Sequence, residues 1–142
     1  MAELKVTPIL SFKGQCADAI ALYEKAFGAV VIEKIHYSQA DPKDIQFKNG
    51  EENLIFYSEI AIGNDILLLG DSTCDPTLDQ PQTRVSFVVN FDTAAELHTA
   101  YAILAQNATI LEPLTATTYC TGVVSLQDQF NISWQLMSGY AG

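Results

Sequence analysis

Apolar positions come in short runs whose period switches between two and about 3.6 residues, the marks of strand and helix. Residues 6–12 (VTPILSF) predict a strand closed by Lys13-Gly14. Pro8 restricts it to a sheet edge or a strand start, because proline has no N–H for the ladder. Over residues 16–27, Cys16, Ile20, Tyr23 and Phe27 share one helical face, Asp18 and Glu24 lie off it, and Gly28 stands where a C-terminal cap belongs. Residues 29–37 predict a second strand. Residues 38–53 form a long polar loop with a short element around 45–47. Residues 54–62 and 66–69 form a hairpin turned at Gly63-Asn64-Asp65.

Residues 71–82 (DSTCDPTLDQPQ) are poor in apolar side chains and predict a linker. After it, residues 84–91 predict a strand, and Thr93 and Glu96 have the spacing of a helix capping box. Leu97, Tyr101 and Leu104 give that helix its apolar face, and Asn107 can close it. Residues 108–111, 118–126 and 132–137 predict three more strands. The order strand, helix, strand, strand, strand therefore occurs twice. Ser11-Phe12 matches Ser86-Phe87, and Ala29-Val30-Val31-Ile32-Glu33 matches Ala108-Thr109-Ile110-Leu111-Glu112, so the offset drifts from 75 to 79 residues. The expectation is one α+β domain over 1–142 built of two βαβββ modules, at about 1–70 and 83–142, joined by the 71–82 linker. One such module cannot cover both faces of its sheet. A pair can enclose a cleft, and ligand sites favour such places.

Charge narrows the function. Seventeen acids against seven bases give a net charge of −10, so a nucleic-acid partner lacks its basic footprint and an anionic membrane is repelled. No run approaches the ~20 apolar residues of a membrane span. The opening MAELKVTPILSF has no signal-peptide core. Cys16, Cys74 and Cys120 are odd in number and far apart, which fits a reducing compartment. A cytoplasmic location is expected.

The segment Pro8-Ile9-Leu10-Ser11-Phe12-x-Gly14-x-Cys16-Ala17-x-Ala19-x-x-x-Tyr23-x-x-x-Phe27-Gly28 resembles the start of the PhnB-like branch of the glyoxalase/bleomycin-resistance (vicinal oxygen chelate) superfamily. The second half is similar too, through Glu112-Pro113-Leu114, Tyr119-x-x-Gly122-x-Val124 and Asp128-x-Phe130-x-Ile132-x-Trp134. Tyr119 replaces the usual tryptophan. Asn131 replaces a glycine, and asparagine tolerates a left-handed turn better than most residues. The resemblance implies curved mixed sheets around a U-shaped cleft, the glyoxalase/bleomycin resistance fold, and a homodimer. Some members of the branch are called demethylubiquinone methyltransferases, but no glycine-rich turn with a downstream acid marks a methyl-donor site.

Metalloenzymes of the superfamily place His, Glu or Gln ligands on four cleft-facing strands. Carried over, those positions are Pro8, Ile9 and Leu10; Leu69, Gly70 and Asp71; Arg84, Val85 and Ser86; and Gln135. Only Asp71 and Gln135 suit a metal, and three or four converging donors are needed. No cofactor is expected. Glu59 and His36 are the candidates for acid/base chemistry. Glu59 reads otherwise as a solvated or paired strand carboxylate, and His36 as an exposed strand histidine; His98 reads as a solvent-facing helix residue. Tyr57, Asp71, Tyr119, Trp134 and Gln135 are the candidate pocket residues. Tyr119 and Cys120 are expected to begin the seventh strand. The aromatics serve equally as stacking platforms or plain core. Cys16 and Cys120 read as buried thiols and Cys74 as an exposed one. The expected function is metal-free small-molecule binding. The alternatives are a lyase, isomerase or dioxygenase acting on a small oxygen-rich substrate, and a drug-sequestering resistance protein.

Overall fold

The structure is a computed structural model that describes residues 6–71, 85–118 and 120–139. The chain divides into two compact units, Met1–Leu78 and Asp79–Gly142. The predicted 71–82 linker lies outside the described residues except for Asp71, as does Arg84.

The first unit runs β1 (Ile9–Phe12), α1 (Cys16–Phe27), β2 (Val30–His36), β3 (Ile55–Ile62) and β4 (Asp65–Asp71). Its strands lie in the order β1-β4-β3-β2. β1 pairs in parallel with β4, Ile9 opposite Leu68 and Phe12 opposite Asp71, while the other two ladders are antiparallel. The reason α1 covers one face is visible in its burial. Cys16, Ala19, Ile20, Tyr23 and Ala26 are buried, and the sheet answers with buried Leu10, Phe12, Ser58, Ile60, Leu67 and Leu69. Alternation along each strand puts those residues on one side. The helix stops at Gly28, whose φ of 66° and N–H bond to the Glu24 carbonyl close the last turn.

The loop after β2 holds no element at residues 45–47. Its regular part is a short 3-10 turn at Tyr37–Gln39. Tyr37 anchors it. The N–H of Tyr37 donates to Leu54, its hydroxyl donates to the Asp71 carbonyl at 2.7 Å, and its ring packs against Phe47 and Phe56.

The second unit runs β5 (Phe87–Phe91), α2 (Ala94–Leu104), β6 (Thr109–Thr115), β7 (Gly122–Gln127) and β8 (Ser133–Ser138), in the sheet order β5-β8-β7-β6. β5 is parallel to β8, and the remaining pairs are antiparallel. Thr93 caps α2, accepting the Glu96 N–H and donating to the Glu96 carboxylate. Asn107 does not close it as predicted. The helix passes instead into a 3-10 turn at Ala105–Asn107, and Asn107 keeps a negative φ. Asn131 has a φ of 69°, the left-handed value its place in the turn demands.

The repeat is real, and it keeps the 79-residue offset of the Ala29–Glu33 and Ala108–Glu112 match but not the 75-residue offset of the Ser11-Phe12 match. Phe12 ends β1 and Phe91 ends β5, 79 residues later, and Val30 and Thr109 open β2 and β6 at the same spacing. Ser86-Phe87 lies at the start of its strand whereas Ser11-Phe12 lies at the end, so that match was a coincidence of composition. Cys120 precedes β7 rather than beginning it.

Candidate functional site

In each unit the helix covers one sheet face, and the opposite face, called open below, carries no helix of that unit. Register and alternation assign the open positions of the first unit. One row crosses all four strands as Ile9, Leu68, Glu59 and Glu33. A second runs Ser11, Gly70, Tyr57 and Ile35, and a third Ile66, Ala61 and Val30. Ile9 is 64% exposed and Val30 62%, although both are apolar.

Chemistry concentrates at one end of this face. The Tyr57 hydroxyl donates to Glu59 Oε1 at 3.1 Å. Burial, that hydrogen bond and the charges of Glu59 and Glu33 hold the Tyr57 phenol above its ordinary pKa. Glu33 sits opposite Glu59 because a bulge between Val31 and Glu33 shifts the parity of β2. That contact is missing from the sequence reading, since a bulge leaves no signal in a run of β-branched residues. Lys34 pairs with Ser58 and faces the helix side, where its charge reaches the Cys16 thiol.

Asp71 was expected in the pocket or at a metal. It turns instead toward α1. Its Oδ1 accepts the Cys16 N–H at 2.9 Å and its Oδ2 accepts the Ile55 N–H at 3.0 Å, both buried. The helix has no side-chain cap of its own from Gln15, so a strand residue 55 positions away does that work. The carboxylate is a structural bracket, and its candidacy as a ligand gives way to that.

In the second unit the open rows are Val88, Gln135, Ser125 and Glu112; Asn90, Met137, Val123 and Thr115; and Ser133, Gln127 and Thr109. Gln135 does face this open side. Trp134 does not. It is 2% exposed on the helix side, tilts against Phe87 and donates its indole N–H to Asp128 Oδ2 at 2.8 Å. Asp128 Oδ1 accepts the N–H groups of Phe130 and Ile132, so this carboxylate braces the turn before β8. The reading of Trp134 as a stacking platform is replaced by core.

Tyr119 and Cys74 lie outside the described residues. Cys120 is buried beside Thr117, its sulfur 3.0 Å from Oγ1. Cys16 is fully buried, and burial, with the charge of Asp71 behind it, pushes its thiol up to about 12. His36 sits apart from Tyr57 and Glu59 in a local arrangement. Its Nδ1 is 2.9 Å from the Asn53 carbonyl. A carbonyl only accepts, so Nδ1 carries the proton and the neutral ring has its lone pair on Nε2.

The strands that bear metal ligands elsewhere in the superfamily present here Ile9 and Ser11, Leu68 and Gly70, Val88 and Asn90, and Gln135 and Met137. Two carboxamides, Asn90 and Gln135, and the Ser11 hydroxyl among apolar side chains do not fit a divalent ion, which takes three or more N, S or carboxylate donors. Among the described residues no three His, Cys, Asp or Glu side chains form a metal-binding group.

A family model described as 3-demethylubiquinone-9 3-methyltransferase matches residues 4–137. Protein YjdN of Escherichia coli (strain K12) is 23% identical over 143 residues, covering 94% of each chain. Among solved structures, the PhnB protein from Bacillus cereus aligns with a TM-score of 0.78 at 24% identity, over 95% of this chain and 99% of that one. Protein PA1353 from Pseudomonas aeruginosa aligns with a TM-score of 0.78 at 20% identity, over 96% and 98%. The fosfomycin resistance protein FosX from Mesorhizobium loti aligns at 0.63 and 11%, over 99% and 95%. At these identities the structures share the fold. With two βαβββ units, each a four-stranded mixed sheet under one helix, and a family match across nearly its whole length, the chain belongs to the family described as 3-demethylubiquinone-9 3-methyltransferase.

Proposed function

We propose that the chain is a small-molecule-binding protein that works without a catalytic metal, as a homodimer in the cytoplasm. The observation that carries this reading is the composition of the open sheet faces. On the first, fourth, fifth and last strands they offer Ile9, Leu68, Val88 and Gln135. Apolar surface with a few polar groups is the ordinary make-up of a ligand site.

Methyl transfer, the activity in the family description, finds little support in the local architecture. Dinucleotide-type cofactor sites use a glycine-rich turn between a parallel strand and its helix. Here β1 reaches α1 through Lys13-Gly14-Gln15, and β5 reaches α2 through Asp92-Thr93. A second reading, metal-free acid/base chemistry, is favoured by one observation, the hydrogen-bonded Tyr57–Glu59 pair on the open face.

The test is elemental analysis of purified protein together with thermal melts in nickel, zinc, manganese and iron(II). A stoichiometric metal, or stabilisation of the ~2.7 kcal/mol expected at a hundredfold excess over Kd, overturns the metal-free reading. Sedimentation velocity checks the dimer.

A further inference from the structure

We propose that residues 40–51, in the long connection from β2 to β3, form a lid on the first unit, hinged at a clamped base and latched by the Phe47 ring on Tyr37. The device goes beyond the small-molecule reading, because it stands whatever the open face binds.

Antiparallel neighbours are ordinarily joined by about 2–5 residues. β2 and β3 are such neighbours, yet residues 37–54 join them. The two ends of this connection are fastened to each other. Past the last ladder pair, His36 with Ile55, the Tyr37 N–H donates to the Leu54 carbonyl at 2.8 Å and the Ser38 N–H to the Glu52 carbonyl at 3.2 Å. The His36 ring donates from Nδ1 to the Asn53 carbonyl at 2.9 Å, and the His36 N–H donates to Gln39 Oε1 at 2.8 Å. Movement is therefore confined to what lies beyond this base.

The part beyond the base is preformed but detached. The Lys43 N–H donates to Asp41 Oδ1 at 2.9 Å and the Asp44 N–H to the Asp41 carbonyl at 2.8 Å, which makes one tight turn. The Lys48 N–H donates to Glu51 Oε1 at 2.7 Å and the Glu51 N–H returns to the Lys48 carbonyl at 3.1 Å, which makes a second. Among the described residues, no hydrogen bond of residues 40–51 reaches further than three positions along the chain. A backbone whose hydrogen bonds are all its own loses none by moving as a body.

One ring holds it down. Residues 41–50 are exposed except for half-buried Ile45. Among the described residues, the ring contact between this stretch and the rest of the unit is Phe47 against Tyr37, with centroids 5.8 Å apart. The two partners are unequal. Tyr37 is the fixed catch: it is 1% exposed, its hydroxyl donates to the Asp71 carbonyl at 2.7 Å, and its ring also meets Phe56. Phe47 is the moving latch, 38% exposed on a stretch with no other ring to hold it. Lifting the lid uncovers the Tyr37 ring. The catch also includes Phe56, the chain neighbour of Tyr57, so the lid stands beside the Tyr57 end of the open face.

The experiment is trypsin cleavage of the full chain, followed by mass spectrometry. Lys48 lies in the lid, whereas Lys25 lies in α1 and Lys34 in β2. Cleavage in a segment that opens and closes quickly follows the population of its open form. Cutting at Lys48 is compared with that of a synthetic peptide of residues 40–54 carrying the same substitution. In the parent protein Lys48 should be cut at least about tenfold more slowly than in the peptide. Phe47→Ala removes an aromatic pair and its apolar cover and should speed that cut about tenfold. Phe47→Leu, which keeps part of the cover, should fall between. In all three proteins the rates at Lys25 and Lys34 should agree within twofold. A parent cut at Lys48 as fast as the peptide overturns the closed lid, and a Phe47→Ala rate equal to the parent's overturns the latch. Cuts at Lys25 and Lys34 that accelerate in step with Lys48 show opening of the whole unit and overturn the lid as a separate body. None of these outcomes touches the metal-free ligand reading, which its own melts decide.

Discussion

Replacing Asp71 tests whether this residue is a bracket or a ligand. Its two oxygens accept the Cys16 and Ile55 N–H groups at 2.9 and 3.0 Å in a buried setting. Asp71→Asn keeps one acceptor and turns an NH2 group toward the other N–H. Hydrogen bonds to charged groups contribute about 1.5–3 kcal/mol, so this change should cost about 2 kcal/mol. Asp71→Ala leaves both N–H groups unsatisfied and uncaps α1. At about 1–3 kcal/mol per orphaned buried group it should cost about 3–5 kcal/mol. Urea unfolding followed by circular dichroism reads both variants, with the loss appearing as a lower midpoint at unchanged slope. If Asp71 were a ligand side chain on an open surface, Asp71→Asn would unfold like the parent protein and lose only ligand affinity. A cost below about 0.5 kcal/mol for Asp71→Ala, the range of ordinary surface substitutions, would refute the bracket.

Other consequences can be checked alongside. Trp134 is the sole tryptophan, and its burial on the helix side predicts emission that resists acrylamide quenching until the second unit unfolds; Trp134→Phe, which removes the indole donor to Asp128 Oδ2, should cost about 2 kcal/mol in the same unfolding assay. The Cys16 thiol, held at about 12, should resist iodoacetamide at pH 8 and react once the chain is denatured. Because its folded value lies above the unfolded one, its contribution to stability is complete below about pH 9 and is lost between about pH 9 and 12 at ~1.4 kcal/mol per pH unit. Cys16→Ala should remove that share of the alkaline slope in pH-dependent urea melts. Gly139 and Gly28 both have positive φ, but a Cβ on Gly139 would lie 2.4 Å from the Thr121 hydroxyl oxygen, while one on Gly28 meets nothing within 4 Å. Gly28→Ala should therefore cost about 1 kcal/mol and Gly139→Ala about 2–4 kcal/mol by thermal melting.

The elements were legible because their causes are local. The Cys16–Phe27 period, the Gly28 stop and the Thr93–Glu96 cap each depend on residues within one or two helical turns. The site was legible only where parity held. Tyr57 and Glu59 share a face because β3 alternates without interruption, and the register confirms it. Glu33 escaped notice because the bulge at Ile32 is set by pairing and not by composition. Trp134 and Gln135, both read as pocket residues, lie on opposite faces of β8, which is buried nearly throughout, so no pattern of apolar and polar residues tells which face carries the helix. Asp71 looked like a linker residue since the N–H groups it serves are 55 and 16 residues distant, beyond the reach of any local rule.

The duplicated topology also poses a sorting problem during folding. Each unit pairs its opening strand in parallel with its final strand, Ile9 against Leu68 and Phe87 against Trp134. Both slots have the same polarity, and both visiting strands are short and apolar, so β1 could dock on β8 and β5 on β4. Correct docking is what brings Asp71, at the end of β4, to the first amide of α1. At the corresponding end of β8 stands Ser138, hydrogen-bonded to Thr121 and offering no carboxylate. If the bracket steers this docking, its loss has a measurable outcome. A chain lacking it should lose selectivity between the two slots and refold into a mixture of correctly and crosswise paired molecules, with exchange between neighbouring chains as the concentrated-solution outcome.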